Sequence, residues 1–259
     1  MSTPYFRPVG TTLEPNEWAR GPWAADMMHG RLLGGLAARA LEHEIGDDGW
    51  RGARLTVDLF RPAAMDAVEV EVTSIRSGRK VRVADATLTV AGHVVGRVTG
   101  LFLTTGHEPP GTIWRPQHEP WPSPDDVPPA ADDTGAKESE IWQFRTVTGG
   151  MGSAEQTRVW TNDTGQLVEG EEMTPFVRAA VSGDIACPLV NAGDQGIHYI
   201  NADYTLLLGR YPVGPWIGLE TTDQVDADGI AAAMATLWDE DGMFAMSSGA
   251  SISRPPLEH

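Results

Sequence analysis

The chain has 259 residues, a hydrophobic fraction of 41% and a formal net charge of −17 at pH 7. That hydrophobic fraction excludes wholesale disorder, and the negative charge argues against a general nucleic-acid binder. No apolar run approaches the ~18 residues that cross a membrane, no signal-peptide pattern opens the sequence, and Cys187 is a lone cysteine, so we expect a cytoplasmic protein.

Residues 21–45 are predicted to form the central helix and its entry, in which Gly21-Pro22-Trp23 is a turn. Two adjacent rows of apolar residues at i+4 spacing make a wide apolar face, as in a helix packed on a sheet: Leu33, Ala37, Leu41 and Ile45, beside Met28, Leu32, Leu36 and Ala40. Gly34 and Gly35 each cost about 1 kcal/mol relative to alanine, which predicts close approach of another backbone. Asp26 is the predicted N-cap.

The first half, residues 1–105, is predicted to hold an extended arm, this helix and four antiparallel strands. Alternating apolar residues place the strands at 54–60, 68–72, 80–90 and 94–103. A hairpin joins the last two strands at Ala91-Gly92-His93.

Residues 106–138 are predicted to be a linker without regular sheet structure, because proline cannot donate to a ladder. Eight of the 19 prolines lie there: Pro109, Pro110, Pro116, Pro120, Pro122, Pro124, Pro128 and Pro129. Trp114 and Trp121 are expected to hold the linker against a surface. At the other end of the chain, residues 255–259 are interpreted as a tail that is partly vector-derived.

The second half, residues 139–254, is predicted to repeat the first. Its predicted strands are 141–147, 153–161, 198–208, 216–222, 230–238 and 243–253, and its helix runs from Thr174-Pro175 to about residue 186. Both halves read helix, strand, Arg-Pro and three strands, with Arg61-Pro62 matched by Arg210-Tyr211-Pro212. This repeat indicates two copies of one unit side by side.

A small-residue helix wrapped by an antiparallel sheet is the hotdog architecture, and the sequence resembles the double-hotdog acyl-CoA thioesterase II family. The resemblance rests on His29 to Leu36, on 55–60 with Arg61-Pro62, and on the stretch from Asn201 to Arg210. It implies an α+β fold of two helix-wrapped antiparallel sheets joined side by side. It also implies hydrolysis of acyl-CoA thioesters without a metal or organic cofactor.

In that family an Asp, a Thr or Ser, and a Gln of the second hotdog activate water, and a backbone N–H of the first helix polarises the carbonyl. Strand-by-strand matching assigns the Asp to Asp203 and the Thr to Thr222, with Thr221 one place away. The N–H is expected at Gly30, where the central helix opens. The matching places the Gln near Gly249-Ala250-Ser251, where this chain has none, so either Ser247, Ser248 or Ser251 replaces it or hydrolysis is impaired.

Other polar residues are candidates for substrate binding. His29 and Arg31 stand at the predicted helix entrance, where free N–H groups bind anions; a simple capping role is the alternative. Arg79, Lys80 and Arg82 lie in a basic cluster suited to coenzyme A phosphates, or they guard a hairpin edge against strand pairing. Asp203 and Thr222 could equally be ordinary strand residues.

Three functions remain open from the sequence. An acyl-CoA thioesterase would use Asp203 as general base and the helix N-terminus for the oxyanion. The missing Gln instead favours a non-catalytic acyl-CoA or lipid-binding protein. A hotdog hydratase is disfavoured, because no Asp is followed at short spacing by a matching His. We expect a homo-oligomer in lipid metabolism with a thioester ligand and with no nucleic-acid, membrane or metal partner.

Overall fold

The computed structural model describes residues 3–129 and 141–254, which contain sixteen strands and three α-helices. In the first half these are β1 Pro4–Val9, β2 Thr12–Pro15, α1 Gly30–Ile45, β3 Trp50–Leu59, β4 Val68–Ser77, β5 Val81–Val90 and β6 His93–Thr104. In the second half they are β7 Trp142–Thr148, β8 Arg158–Asp163, β9 Gln166–Val168, α2 Pro175–Gly183, α3 Ala186–Val190, β10 Ala192–Gly193, β11 Gly196–Ile197, β12 Tyr199–Asn201, β13 Asp203–Leu208, β14 Ile217–Ala227, β15 Ile230–Asp239 and β16 Gly242–Ser253.

One continuous sheet runs through the described residues. Its strand order is β7-β8-β14-β15-β16-β13-β3-β6-β5-β4-β2-β1-β9, with β12 paired to β16. The two halves meet where β3 and β13 pair antiparallel, from Asp58 opposite Asp203 to Arg54 opposite Leu207. The expected two sheets are therefore one sheet in this structure, because ladder hydrogen bonds cross the boundary between the halves.

Helix α1 packs against β3 to β6 and against α2. Its glycines allow close contact with side chains rather than with the backbone that we expected. A Cβ at Gly34 would lie 2.0 Å from the Tyr204 hydroxyl oxygen, and one at Gly35 would lie 2.6 Å from Cγ2 of Val181. Both neighbours belong to the second half, so the small residues of α1 hold the halves together.

The helix begins three residues later than predicted, with its N-cap at His29 instead of Asp26. Residues 21–29 are not helical: the Gly21 N–H donates to Met27 O, and Met27 bridges to Ala64. Asp26 is not the N-cap; its carbonyl accepts the Met65 N–H at 3.0 Å. The cap is His29, whose Nδ1 accepts the Arg31 N–H at 3.4 Å. Tertiary hydrogen bonds thus keep this segment extended despite its apolar spacing.

Two second-half predictions also change. The strand predicted at 198–208 is broken at Ala202 into β12 and β13, and the predicted helix ends at Gly183 before the short α3. Thr174 is the N-cap of α2, as predicted, and its hydroxyl accepts the Val177 N–H at 3.2 Å. Both breaks lie beside Asp184, which therefore occupies a corner between elements.

The proline-rich stretch carries no strand in its described part, 106–129, only a short 3₁₀ turn at Pro124–Asp126. Trp121 packs on Trp160 and Trp238, whereas Trp114 is 83% exposed. The predicted linker positions 130–138, and the predicted tail at 255–259, lie outside the described residues. Among the described helices, none is long and apolar enough to cross a membrane.

Candidate active site

The start of α1 faces a buried carboxylate from the second half. Asp184 follows the last turn of α2 and is 4% exposed. A Cβ at Gly30 would lie 3.7 Å from one carboxylate oxygen of Asp184 and 3.8 Å from the other. The His29 Nδ1 lies 3.9 Å from Asp184 Oδ2. A helix N-terminus and a carboxylate therefore share one small space at the junction of the halves.

Burial raises the pKa of Asp184 from 3.8 to about 6, because the charged form loses its hydration. A hydrogen bond from Asn201 and the positive charge of Arg31 act in the opposite direction and limit the rise. A carboxylate with this pKa is ionised at neutral pH and still basic enough to accept a proton. Those are the properties of a general base.

Asn201, on β12, orients the carboxylate. Its Nδ2 donates to Asp184 Oδ1 and to the Asp184 carbonyl, both at 3.0 Å. The Ser251 hydroxyl contacts Asn201 Oδ1 at 3.5 Å, and Asn191 Nδ2 donates to Ser251 Oγ at 3.2 Å. A chain of polar side chains thus ends at Asp184.

His29 is held neutral. Burial lowers the pKa of its imidazole from 6.5 to about 3, and the neighbouring charge of Arg31 lowers it further. Since Nδ1 accepts the Arg31 N–H, the proton of the neutral ring is on Nε2. The imidazole therefore adds no positive charge beside Asp184 at neutral pH.

Arg31 is committed to contacts within the protein. Its guanidinium donates to Asp163 Oδ2 and, at 2.7 Å, to the Tyr5 hydroxyl, and its Cζ lies 4.1 Å from the Trp142 ring centroid. The side chain is buried. This geometry ties the start of α1 to β1, β7 and β8, so the predicted substrate contact of Arg31 has no support from its side-chain position.

Asp203 lies on the opposite face of the sheet from Asp184. Tyr204, Leu206 and Leu208 of β13 are buried, so period-two alternation turns Asp203 outward. Its Oδ1 accepts the Ala250 N–H at 2.6 Å, where the break between β12 and β13 interrupts the ladder along β16. The contact explains a carboxylate at this position without chemistry.

Thr222 lies in a bulge of β14, and its hydroxyl donates to Met234 O at 3.0 Å. Strands β15 and β16 separate it from Asp203, a lateral distance of roughly 14 Å at the usual strand spacing. The structure therefore does not bring the two predicted catalytic side chains together. It does bring predicted Gly30 and His29 to Asp184.

The basic cluster lies at the far end of α1. Arg82 donates to Ile45 O at 2.8 Å and to Asp47 Oδ2 at 2.7 Å, beside the helix C-terminus. Arg79 and Lys80 are exposed in the β4–β5 hairpin. A 16-residue helix is about 24 Å long, which sets the distance between this cluster and Gly30.

Gly249 has no room for a side chain. A Cβ there would lie 2.5 Å from the backbone oxygen of Asp203 and 2.7 Å from Sγ of Cys187. Of the three positions where the family resemblance expects a Gln, 249 to 251, Gly249 is thus closed by backbone and by a buried cysteine. Ser251, two residues on, is the polar side chain of β16 that reaches Asn201.

The internal repeat gives the start of α2 a position equivalent to the start of α1, but different residues occupy it. Asp184 is nine residues after Pro175, the first residue of α2, and Arg39 is nine residues after Gly30, the first residue of α1. Arg39 donates to both carboxylate oxygens of Glu171, at 2.5 and 2.6 Å. Thr174 donates to Glu42 at 2.6 Å. The start of α1 therefore faces the Asp184 carboxylate, whereas the start of α2 faces the Arg39–Glu171 salt bridge.

Sequence reasoning missed Asp184 although two signals pointed to it. It is the one acid in the apolar stretch from Ala179 to Val190, and an acid at a helix C-terminus opposes the helix dipole. The repeat, aligned on the helix starts rather than on the Arg-Pro pairs, also singles out this position. An acid that is unfavourable both locally and by burial marks a functional site.

Two family domains match successive parts of the chain. Residues 19–103 match the acyl-CoA thioesterase N-terminal domain, and residues 117–249, more than half of the chain, match the acyl-CoA thioesterase C-terminal domain. No curated protein matches the sequence. The second match begins inside the segment that we predicted to be a linker.

Solved structures show the same fold at low identity. A hot dog fold protein of unknown function from Alicyclobacillus acidocaldarius has a TM-score of 0.77 at 15% identity, with 97% of this chain and 96% of that one covered. The tesB protein of Mycobacterium avium subsp. paratuberculosis has a TM-score of 0.72 at 15% identity, with 96% of each chain covered. An acyl-CoA thioesterase II from Mycobacterium marinum has a TM-score of 0.64 at 16% identity, with 88% and 91% covered. These matches confirm the hotdog fold, and the domain matches show that the chain belongs to the double-hotdog acyl-CoA thioesterase family.

Proposed function

We propose that this chain hydrolyses acyl-CoA thioesters with Asp184 as the general base. The observation that carries the proposal is the buried Asp184 carboxylate, with a pKa of about 6, lying 3.7 and 3.8 Å from the Cβ position of Gly30. This arrangement places a proton acceptor beside a helix N-terminus, which can stabilise an anion. The family membership supports the choice of a thioester as substrate.

In the proposed reaction, water attacks the thioester carbonyl carbon while Asp184 accepts its proton. The oxyanion is stabilised by the Gly30 N–H at the start of α1. The next two N–H groups are already used, since Arg31 donates to His29 Nδ1 and Leu32 donates to the His29 carbonyl. The C–S bond then breaks, and the coenzyme A thiolate takes the proton from Asp184 as the free acid leaves. Asn201 holds the carboxylate in place throughout, since its amide donates to Oδ1.

The glycine at position 30 keeps the reaction space open. A methyl there would be in ordinary contact with Leu59 at 3.4 Å and with both oxygens of Asp184, so Gly30→Ala fits sterically. It would nevertheless occupy the gap that water and carbonyl need. We therefore expect this variant to fold and to lose activity.

The test compares thiol release from a panel of acyl-CoAs by the wild type, Asp184→Asn and Asp203→Asn. Asn at 184 keeps the size and the contact with Asn201 but cannot accept a proton, so turnover should fall ~10²–10⁴-fold. Asp203→Asn, the matched change on the outer face, should retain most of the activity. Loss in Asp203→Asn with retention in Asp184→Asn would reject Asp184 and restore Asp203 as the base.

A second candidate is a non-catalytic acyl-CoA or lipid-binding protein. The closed space at Gly249 favours it, because the side chain that the family resemblance expects cannot be present there. Acyl-CoA binding by calorimetry, with no thiol release by the wild type on any ester of the panel, would select this function.

We also propose that the chain acts in the cytoplasm, in lipid metabolism, as a homo-oligomer. Leu207 and Met246 are cross-strand partners on the outer sheet face, and with Met234 they are exposed apolar side chains that association would cover. Sedimentation velocity tests this; a monomer at all concentrations would reject the oligomer.

A further inference from the structure

We propose that Ser251 and Asn191 are positioning residues for Asp184, acting through the amide of Asn201. This inference rests on the proposed function, because it assigns how the base is held. Ser251 is 2% exposed and Asn191 is 9% exposed, and neither contacts Asp184 directly. Both are polar side chains in an apolar surrounding, where every hydrogen bond must be satisfied within the protein.

Asn191, Ser251 and Asn201 form a hydrogen-bonded series that ends at Asp184, and every donor in it is directed toward the carboxylate. Gln224 Nε2 contacts Asn191 Oδ1 at 3.5 Å, and Asn191 Nδ2 donates to Ser251 Oγ at 3.2 Å. The Ser251 hydroxyl points to Asn201 Oδ1 at 3.5 Å, and Asn201 Nδ2 donates to Asp184 Oδ1 at 3.0 Å. Each dipole therefore favours the ionised form of Asp184.

The chain also fixes the orientation of one amide. Asn201 could turn by half a rotation, which would direct its oxygen at the carboxylate and its NH₂ group at Ser251. The Ser251 hydroxyl accepts from Asn191, so its own proton is free to donate to Asn201 Oδ1. That contact keeps the amide nitrogen toward Asp184.

The arrangement is unsuited to carrying protons. Three of its members, Gln224, Asn191 and Asn201, are carboxamides, which hold their protons at any ordinary pH, and only Ser251 carries a hydroxyl. A positioning role is what such a chain can perform. Its member on β16 is Ser251, which lies two residues from Gly249, in the part of the strand where the family resemblance expects a Gln.

Other ionisable groups face Asp184, and they do not titrate near it. The pKa of His29 is lowered to about 3, and burial raises the pKa of Cys187 and of Tyr204 well above their usual values. Arg31, paired with Asp163, stays charged. Among these neighbours, a titration between pH 5 and 8 therefore reports Asp184.

The experiment measures the pKa of Asp184 from its carboxyl ¹³C shift, assigned by its loss in Asp184→Asn. Ser251→Ala releases the Asn201 amide, and the loss of one ordinary hydrogen bond should raise this pKa by about 0.4 to 1 unit. Asn191→Ala should raise it in the same direction. Ser248→Ala is the matched control, because it is the same substitution on β16 at a residue outside this series of hydrogen bonds. Its Asp184 pKa should equal that of the wild type.

A wild-type pKa in both Ser251→Ala and Asn191→Ala would overturn the inference, and the second variant covers a folding failure of the first. In an active enzyme, the acidic limb of kcat/KM should move to higher pH by the same amount. If the wild type proves inactive, the proposed function fails, while the ¹³C shift still decides whether Ser251 and Asn191 position Asp184.

Discussion

Asp184→Asn should make the protein more stable, and increasingly so as pH rises. The folded protein raises the pKa of this carboxyl from 3.8 to about 6, so the folded state binds the proton more tightly than the unfolded state. Its contribution to stability is fully present below pH ~4 and is lost as pH rises through about 6. A shift of about 2 units corresponds to a loss of about 3 kcal/mol.

The assay is urea unfolding of the wild type and Asp184→Asn at pH 5 and pH 8. About half of the 3 kcal/mol is already lost at pH 5, so the stability difference in favour of Asn should grow by roughly 1 to 2 kcal/mol between the two pH values. Using the change with pH removes any constant effect of the substitution. His29 and the other titrating groups are present in both proteins and cancel.

A stability difference that is the same at both pH values would show that folding does not raise the pKa of Asp184. Asp184 would then lack the raised pKa that suits a general base at neutral pH. Confirmation, together with lost turnover, would show that the chain sacrifices stability at this position for function.

Two further predictions concern the closed position and the basic cluster. Gly249→Gln should lower the free energy of unfolding by ~1–3 kcal/mol, because its Cβ meets the backbone oxygen of Asp203. Thermal unfolding and thiol release check this. A variant with faster thiol release and unchanged stability would contradict it. Replacing Arg79 and Lys80 by alanine should weaken binding of a CoA ester up to about fivefold for each charge at low salt and reduce the salt dependence of binding measured by calorimetry. Arg82 is left intact because it holds the end of α1, and unchanged affinity would identify the pair as an edge guard.

The parts of the fold that depend on local periodicity were predictable from sequence. The apolar rows of α1, the alternation of β4 to β6 and the capping pair Thr174-Pro175 are all found where the pattern placed them, within a few residues. The non-helical residues 27–29 were not predictable, because their apolar spacing suits a helix. Hydrogen bonds from Met28 to distant Ala63 and from Met65 to Asp26 hold this segment out of the helix.

Of the two parts of the candidate site, only the one on α1 was predictable from the sequence. The helix entrance at His29 and Gly30 follows from the sequence, whereas its partner comes from the end of α2. Asp203 attracted attention as an acid in an apolar strand, but the face it occupies depends on the register with β3, set by pairing between the halves. Asp184 needed the antiparallel packing of α1 and α2, which no local pattern encodes.

The Arg39–Glu171 salt bridge gives this pseudosymmetric chain a definite ligand stoichiometry. A pair of identical hotdogs would present two equal sites, one at each helix start. Here the start of α2 is closed by an ion pair with two short hydrogen bonds, while the start of α1 keeps its carboxylate free of any cation within hydrogen-bonding distance among the described side chains. A titration with a non-hydrolysable acyl-CoA analogue should therefore saturate at one molecule per chain. Sequence changes confined to the closed entrance of α2 can accumulate without loss of turnover, so joining two hotdogs in one chain allows the two helix entrances to diverge.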